Sequence, residues 1–175
     1  MNYQLKDLSV TEYILYLWQT EDLLRSLDFN IEKVNAAVIT SVAPQHQSEL
    51  RLWYSEIIDM MLAEGIKDKG HLQIANIRVS ELEELHHALL IDVQQTKYAA
   101  LYYKCLPSIT ELRQKENNSD AGDIAVCLQF LYGVLLLRLQ KRPITDQTQE
   151  AMSLIVHLLN SLSRQYNAQK TSENE

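Results

Sequence analysis

Glu83-Glu84-Leu85-His86-His87 is the stretch of this chain best equipped for chemistry. It holds Glu-x-x-His twice, as Glu83/His86 and Glu84/His87. Residues three apart share one face of a helix, so a carboxylate and an imidazole there could grip one metal ion, as in ferritin-like di-iron bundles. Those sites use two such motifs on two helices plus two further glutamates. Here both copies overlap on one helix, and His46, His71 and His157 lack a Glu three residues earlier. Spacing alone does not assemble four ligands, so the expectation is no metal and no cofactor. His86 instead falls on the Leu82–Leu85–Leu89 face, as a core-edge histidine hydrogen-bonded to a neighbour, with His87 in solvent.

The second group with chemical potential is Arg138, which borders the Leu131–Leu135 stripe. An unpaired buried guanidinium costs several kcal/mol, whereas one buried Leu returns only ~1.5–3 kcal/mol. Arg138 must therefore run past the helix end or meet a carboxylate, the candidates being Glu21, Glu56 and Glu111. Glu21 could instead pair with Arg25, four residues on. Other templates fail. There is no phosphate-cradling glycine loop, no Gly-x-Ser-x-Gly elbow and no His-Glu-x-x-His. Trp18, Trp53, Tyr54, Tyr98, Tyr102, Tyr103 and Tyr132 recur at helical spacing, which reads as core before it reads as a ligand pocket.

These residues ride on a chain of helical patterns. Ser9 and Glu12 form a capping box ahead of Tyr13, Tyr16, Leu17, Leu23, Leu24 and Leu27. Asn30 caps a weaker helix to about Val42, which stops before Ala43-Pro44. A third helix runs from Pro44 or Gln45 to Glu64, with Gly65 as its left-handed stop. From Gly65 to Val79 the periodicity dissolves, and the stretch reads as a connecting loop with a short extended piece, a helix starting at His71 being the competing reading for 71–79. Ser80 and Glu83 form a second capping box. The helix they open carries Leu82, Leu85, Leu89, Val93, Tyr98, Tyr102 and Cys105 inward and is interrupted at Pro107. Lys115 to Gly122 is the clearest linker, with Ser119 or Asp120 as the next cap. The following helix, about 123–141, contains Phe130-Leu-Tyr-Gly-Val-Leu-Leu-Leu-Arg-Leu139, apolar nearly all round, which predicts a central helix wrapped by the others. Gly133 within it costs ~1 kcal/mol relative to Ala and reads as close approach by a neighbouring helix before it reads as close access for a ligand. Pro143 and Thr145 open the last helix, and a polar tail follows Asn167.

The predicted fold is therefore all-α, a single-domain bundle of about six helices around the 123–141 helix, spanning 1–166, with a disordered tail over 167–175. At 175 residues the chain can bury a sizeable core without a disulfide. Cys105 and Cys127 lie on apolar faces and read as buried thiols in a reducing compartment. Met1-Asn-Tyr-Gln-Leu-Lys-Asp7 leads into no apolar signal core, and the run 130–139 is far short of the ~20 residues of a membrane span. Both point to a cytoplasmic protein. The net charge of −7 argues against a nucleic-acid backbone as partner.

Trp18-Gln-Thr-Glu-Asp-Leu23, Trp53-Tyr54 with Asp59-Met-Met61, Gly70-His-Leu-Gln73, Leu106-Pro107 with Glu111-Leu-Arg113, and Leu131-Tyr-Gly133 with Leu137-Arg-Leu-Gln140 make the chain similar to a small uncharacterised bacterial family, over about Leu8 to Tyr166. The resemblance implies an all-helical domain of unknown function. It brings no activity, cofactor or catalytic residue. It directs attention to Glu21, His71, Gln73, Glu111 and Arg138, which with His86 make up the ligand-pocket candidates. Two functions compete. The first is a non-enzymatic interaction domain acting through a homodimer or a protein partner, which predicts an exposed apolar helix face. The second is a small-ligand or catalytic bundle with a polar pocket around His86 and Arg138, which predicts that at least three of the candidates converge.

Overall fold

The computed structural model describes Leu5, residues 8–115 and residues 120–173. Among them are seven α-helices and no strand: α1 (Val10–Ser26), α2 (Ile31–Ala37), α3 (Pro44–Ala63), α4 (Gln73–Ile91), α5 (Thr96–Lys115), α6 (Asp123–Leu139) and α7 (Asp146–Glu173). The all-α prediction holds. The chain divides into two compact units, residues 1–8 with 12–77 and residues 9–11 with 78–175.

The first unit carries most of α1, then α2, α3 and the first turn of α4. Asn30 caps α2 as expected, its Oδ1 accepting from the Glu32 and Lys33 amides at 2.9 and 3.2 Å. That helix ends at Ala37, and a 3-10 turn over Ile39–Ser41 completes the segment read as one longer helix. Gly65 stops α3's segment at φ +69°, the conformation that only glycine adopts without strain. Ile14, Leu17, Leu24, Val34, Leu50 and Met61 are fully or almost fully buried.

Within the second unit α5 packs on α6 and α7, and α6 on α7. Four expectations are corrected there or at its border. The loop read through 71–79 is overturned in favour of the competing helix: α4 starts at Gln73, so Ser80 lies inside it and caps nothing. The break after α4 falls at Asp92–Gln95, not at Pro107. Asp92 Oδ1 takes the Gln94 amide at 2.9 Å and Asp92 O takes the Gln95 amide at 3.0 Å, a local turn that outcompetes the helix. Val93, expected inside, is 87% exposed at that turn. Pro107 sits within α5 on its exposed side, together with Tyr103 four residues earlier. The carbonyl that the proline leaves without a donor therefore lies on the water side, where its loss is least costly.

The third correction concerns the apolar run. Its upstream neighbours Ile124, Val126, Cys127 and Leu128 are buried, but within 130–139 only Val134 is. Phe130, Leu131, Tyr132 and Leu135–Leu137 are half-buried, and Leu139 is 58% exposed. The wrapping predicted for the segment is incomplete: the first half of α6 is core, and most side chains of 130–139 are only partly covered. Fourth, α7 continues to Glu173 through the stretch read as a frayed tail. Ala168, Gln169 and Lys170 are good helix formers with no Gly or Pro among them. Lys170 also lies over the Tyr166 ring at 5.7 Å and 3.8 Å from Glu81. Of the predicted linker, residues 116–119, including the candidate cap Ser119, lie outside the described residues.

Candidate functional site

The start of α6 gathers the densest set of chemical groups in the second unit. Glu83 and His86 come from one face of α4. Tyr98, Tyr102 and Arg113 come from one face of α5, spaced four and eleven residues apart, and Asp123 opens α6. Gly122 is the N-cap residue of α6 and brings no side chain to that role. The cap comes from across the fold, because Glu83 Oε1 accepts the Ala125 amide at 2.8 Å. The N-cap position falls to Gly122 and not to the expected Asp120. A carboxylate suits the positive end of the helix dipole. The absence of a side chain at Gly122 is what admits it, since a Cβ there would lie 2.1 Å from Glu83 Oε1.

His86 is 0% exposed and stands between two phenols and a carboxylate. Its Nδ1 is 2.7 Å from the Tyr98 hydroxyl, and its Nε2 is 3.8 Å from Asp123 Oδ2. A carboxylate only accepts, so the favoured tautomer carries its hydrogen on Nε2, toward Asp123, and takes the Tyr98 O–H on Nδ1. The Nε2 contact is electrostatic, being too long for a hydrogen bond. Asp123 is further held by the Tyr102 hydroxyl at 2.6 Å and by Arg113, which also reaches the Ala121 carbonyl at 3.0 Å. His86, Tyr102 and Arg113 together hold the Asp123 carboxyl well below the usual carboxylate range, against the opposing effect of burial. Burial pushes the Tyr98 and Tyr102 hydroxyls up, with Asp123 adding to the rise at Tyr102, so both stay protonated donors.

The network ties α4, α5 and α6 together. It presents no reactive group to a solute, because its imidazole is sealed and its carboxylate is saturated. Cys105 and Cys127 are buried free thiols pushed up by burial, which removes their nucleophilic form. Among the described residues no three His, Cys, Asp or Glu side chains are placed to hold a metal ion.

A second polar knot lies in the first unit, at the start of α4. Glu21, 0% exposed, accepts the Leu72 amide at 3.0 Å and meets His71 Nδ1 at 2.7 Å. The half-buried His71 ring stacks on Trp18 with centroids 4.3 Å apart. Arg25 secures the preceding loop through the Ile66 carbonyl at 3.1 Å and the Gly70 carbonyl. The Gln73 amide donates to Glu64 at 2.7 Å, so α4, like α6, is capped by carboxylates from other segments.

The pocket candidates are distributed over both units. Glu21, His71 and Gln73 sit together at the α4 start in the first unit, Glu21 bonded to His71. In the second unit His86 belongs to the buried network. Glu111 is exposed and pairs with Lys115 at 2.6 Å. Arg138 is exposed and rests on Met152 Sδ at 3.2 Å, having run past the apolar stripe. Sequence reading missed Tyr98 and Asp123 as partners of His86, and Arg113 as a partner of Asp123. The signal was the acid in the first turn of α6 and the spacing of Tyr98, Tyr102 and Arg113 along α5.

The second unit also has an open polar groove of about 340 Å³ lined by Glu81, Glu84, Leu85, Ala88, Tyr166, Gln169 and Lys170. Its charges answer one another. Glu81 Oε2 accepts from Tyr166 at 2.5 Å and from Arg78 at 2.7 Å. Burial and Glu81 push the Tyr166 hydroxyl up to about 12. The remaining feature of note is the partly buried apolar end of α6, where Gly133 is exposed and a Cβ would meet nothing within 4 Å. The close neighbour predicted for Gly133 is not supplied by the described residues of this chain. No described helix is long and apolar enough to cross a membrane. No curated protein and no solved structure matches the chain. The family described as "Domain of unknown function (DUF4924)" matches residues 1–173, and the chain belongs to that family.

Proposed function

We propose that this domain acts by association, presenting the C-terminal half of α6 to a helix of another protein chain, rather than by chemistry on a small substrate. One observation carries the reading: six apolar side chains from Phe130 to Leu137 are only half-buried and Leu139 is exposed, on a helix whose other half is core. Apolar side chains left partly uncovered on one segment favour a partner. The sealed state of His86 and the saturation of Asp123 support the same reading, as do the buried thiols. The thiols also suit a reducing compartment such as the cytoplasm. The alternative, a polar pocket around His86 and Arg138, draws little support from a buried imidazole and an exposed guanidinium.

Leu136→Glu tests the reading. On a binding surface the variant keeps its helical circular dichroism, loses no more than about 1 kcal/mol of stability, and loses most of the bis-ANS fluorescence that the wild type gives. A variant that unfolds outright would place Leu136 in the core and overturn the reading. Unchanged dye binding would do the same.

A further inference from the structure

We infer that His71 is a phosphoryl-acceptor site, taking the group on Nε2 from an N-phosphorylated imidazole such as the phosphohistidine of another protein. This chemistry does not depend on the α6 face. Glu21 is 0% exposed, and its Oε2 lies 2.7 Å from His71 Nδ1. A carboxylate only accepts, so Nδ1 keeps its hydrogen whether the ring is neutral or charged, and the lone pair of the neutral ring sits on Nε2. The ring is fixed twice, by that bond and by the Trp18 stack at 4.3 Å, while 34% of the side chain stays open to solvent. Glu21 is itself held by the Leu72 amide at 3.0 Å. A buried acceptor on one ring nitrogen raises the basicity of the other, and it offsets the positive charge that develops on the ring when Nε2 forms a bond.

Other uses of such a nitrogen lack their partners. Metal ligation needs further ligands, and none are assembled among the described residues. General-base catalysis needs a hydroxyl or thiol beside the ring, and no Ser, Thr or Cys of the described residues bonds to His71. Nε2 is then the nucleophile itself. An acyl group on imidazole is soon lost to water, whereas a phosphoryl group persists long enough to be passed on. Lys67 and Lys69 are exposed on the loop that leads into His71, either side of Asp68, and ammonium groups suit phosphoryl oxygens. Arg25 holds that loop through the Ile66 and Gly70 carbonyls. In the transfer, Nε2 attacks phosphorus in line with the donor N–P bond. That bond breaks and its electron pair leaves with the donor nitrogen, so an N-phosphorylated imidazolium departs as neutral imidazole. The His71 ring gains the positive charge, and its Nδ1 proton stays on the bond to Glu21.

Phosphoramidate, a small N–P donor, tests this on the full chain, with phosphorus NMR and peptide mass spectrometry reading each site. The chain carries its own controls: His87 and His157 are exposed, and neither has a carboxylate partner among the described residues. His71 should load on Nε2 at least about tenfold faster than either. Nitrogen NMR should find the neutral His71 ring protonated on Nδ1. Glu21→Gln keeps an acceptor but removes the charge. It should bring His71 down to the control rate while the rates at His87 and His157 and the helical circular dichroism stay as they were. Loading of His71 no faster than the controls, or on Nδ1, would overturn the site, and that comparison needs no variant. Fast loading that survives Glu21→Gln would overturn the role of the carboxylate. Either result leaves the α6 reading, tested by dye binding, where it stands.

Discussion

Gly122 and Glu83 should behave as one unit, although they lie on different segments. Glu83→Ala removes the carboxylate that accepts the Ala125 amide and faces the α6 dipole. A capping bond of this kind contributes about 1–2 kcal/mol. The unpartnered Glu83 Oε2, buried in the same place, offsets part of that and keeps the estimate from rising further. Gly122→Ala reaches the same end by another route. The new methyl carbon would stand 2.1 Å from Oε1 and 2.3 Å from Cδ, so the Glu83 side chain must leave and the bond is lost. The backbone adds no strain, because Gly122 at φ −64°, ψ 161° has a conformation open to any residue. Each single variant should therefore cost about 1–2 kcal/mol, and the double variant about the same as either one. The coupling energy is then about 1–2 kcal/mol, where independent sites would couple by less than about 0.5 kcal/mol. Urea denaturation followed by circular dichroism measures all four corners of the cycle. In thermal melts each single variant should fall by about 2–8 °C. Additive costs would show that the carboxylate is not the cap. So would a neutral Gly122→Ala beside a costly Glu83→Ala.

Three further outcomes follow from the polar contacts. Glu21→Ala leaves the Leu72 amide and His71 Nδ1 without their buried acceptor and should cost about 3 kcal/mol in urea denaturation. His71→Ala, which removes a half-exposed partner, should cost less. Asp123 has a folded pKa below its unfolded value of ~3.9, so its stabilising effect is complete above that pH and is lost as pH falls below it. Asp123→Asn should accordingly remove on the order of 2 kcal/mol at neutral pH and flatten the acid side of the stability profile. An Asp123→Asn profile parallel to the wild type across that acid range would refute the assignment. Cys105 and Cys127 should resist a thiol reagent such as Ellman's in the native state and react on unfolding. Prompt native labelling of either would contradict their burial.

Much of the fold was legible because it is locally encoded. Asn30 before Ile31, Pro44 at a first turn, Gly65 past a last turn and Thr145 ahead of Asp146 mark helix ends through the chemistry of a few adjacent residues. The misreadings share one cause. Ser80 and Glu83 match a capping box, but the helix had already begun at Gln73. Pro107 reads as a breaker, but its unpartnered carbonyl faces water. Asp92 looks unremarkable, yet its side chain closes the turn that ends α4. In each case several local signals were compatible with the chain, and burial or a neighbour decided among them.

The candidate site shows the same division. The sequence by itself determined that the protein is helical, that 130–139 is apolar nearly all round, and that His86 falls on an apolar face near its edge. Only the tertiary structure decided that Glu83 caps a helix it does not belong to, that Asp123 and Tyr98 are the partners of His86, and that most of the apolar segment is only partly buried. Periodicity records which side of a helix avoids water. Which neighbour then covers that side depends on contacts between residues far apart in the chain, and a single sequence carries no local trace of them.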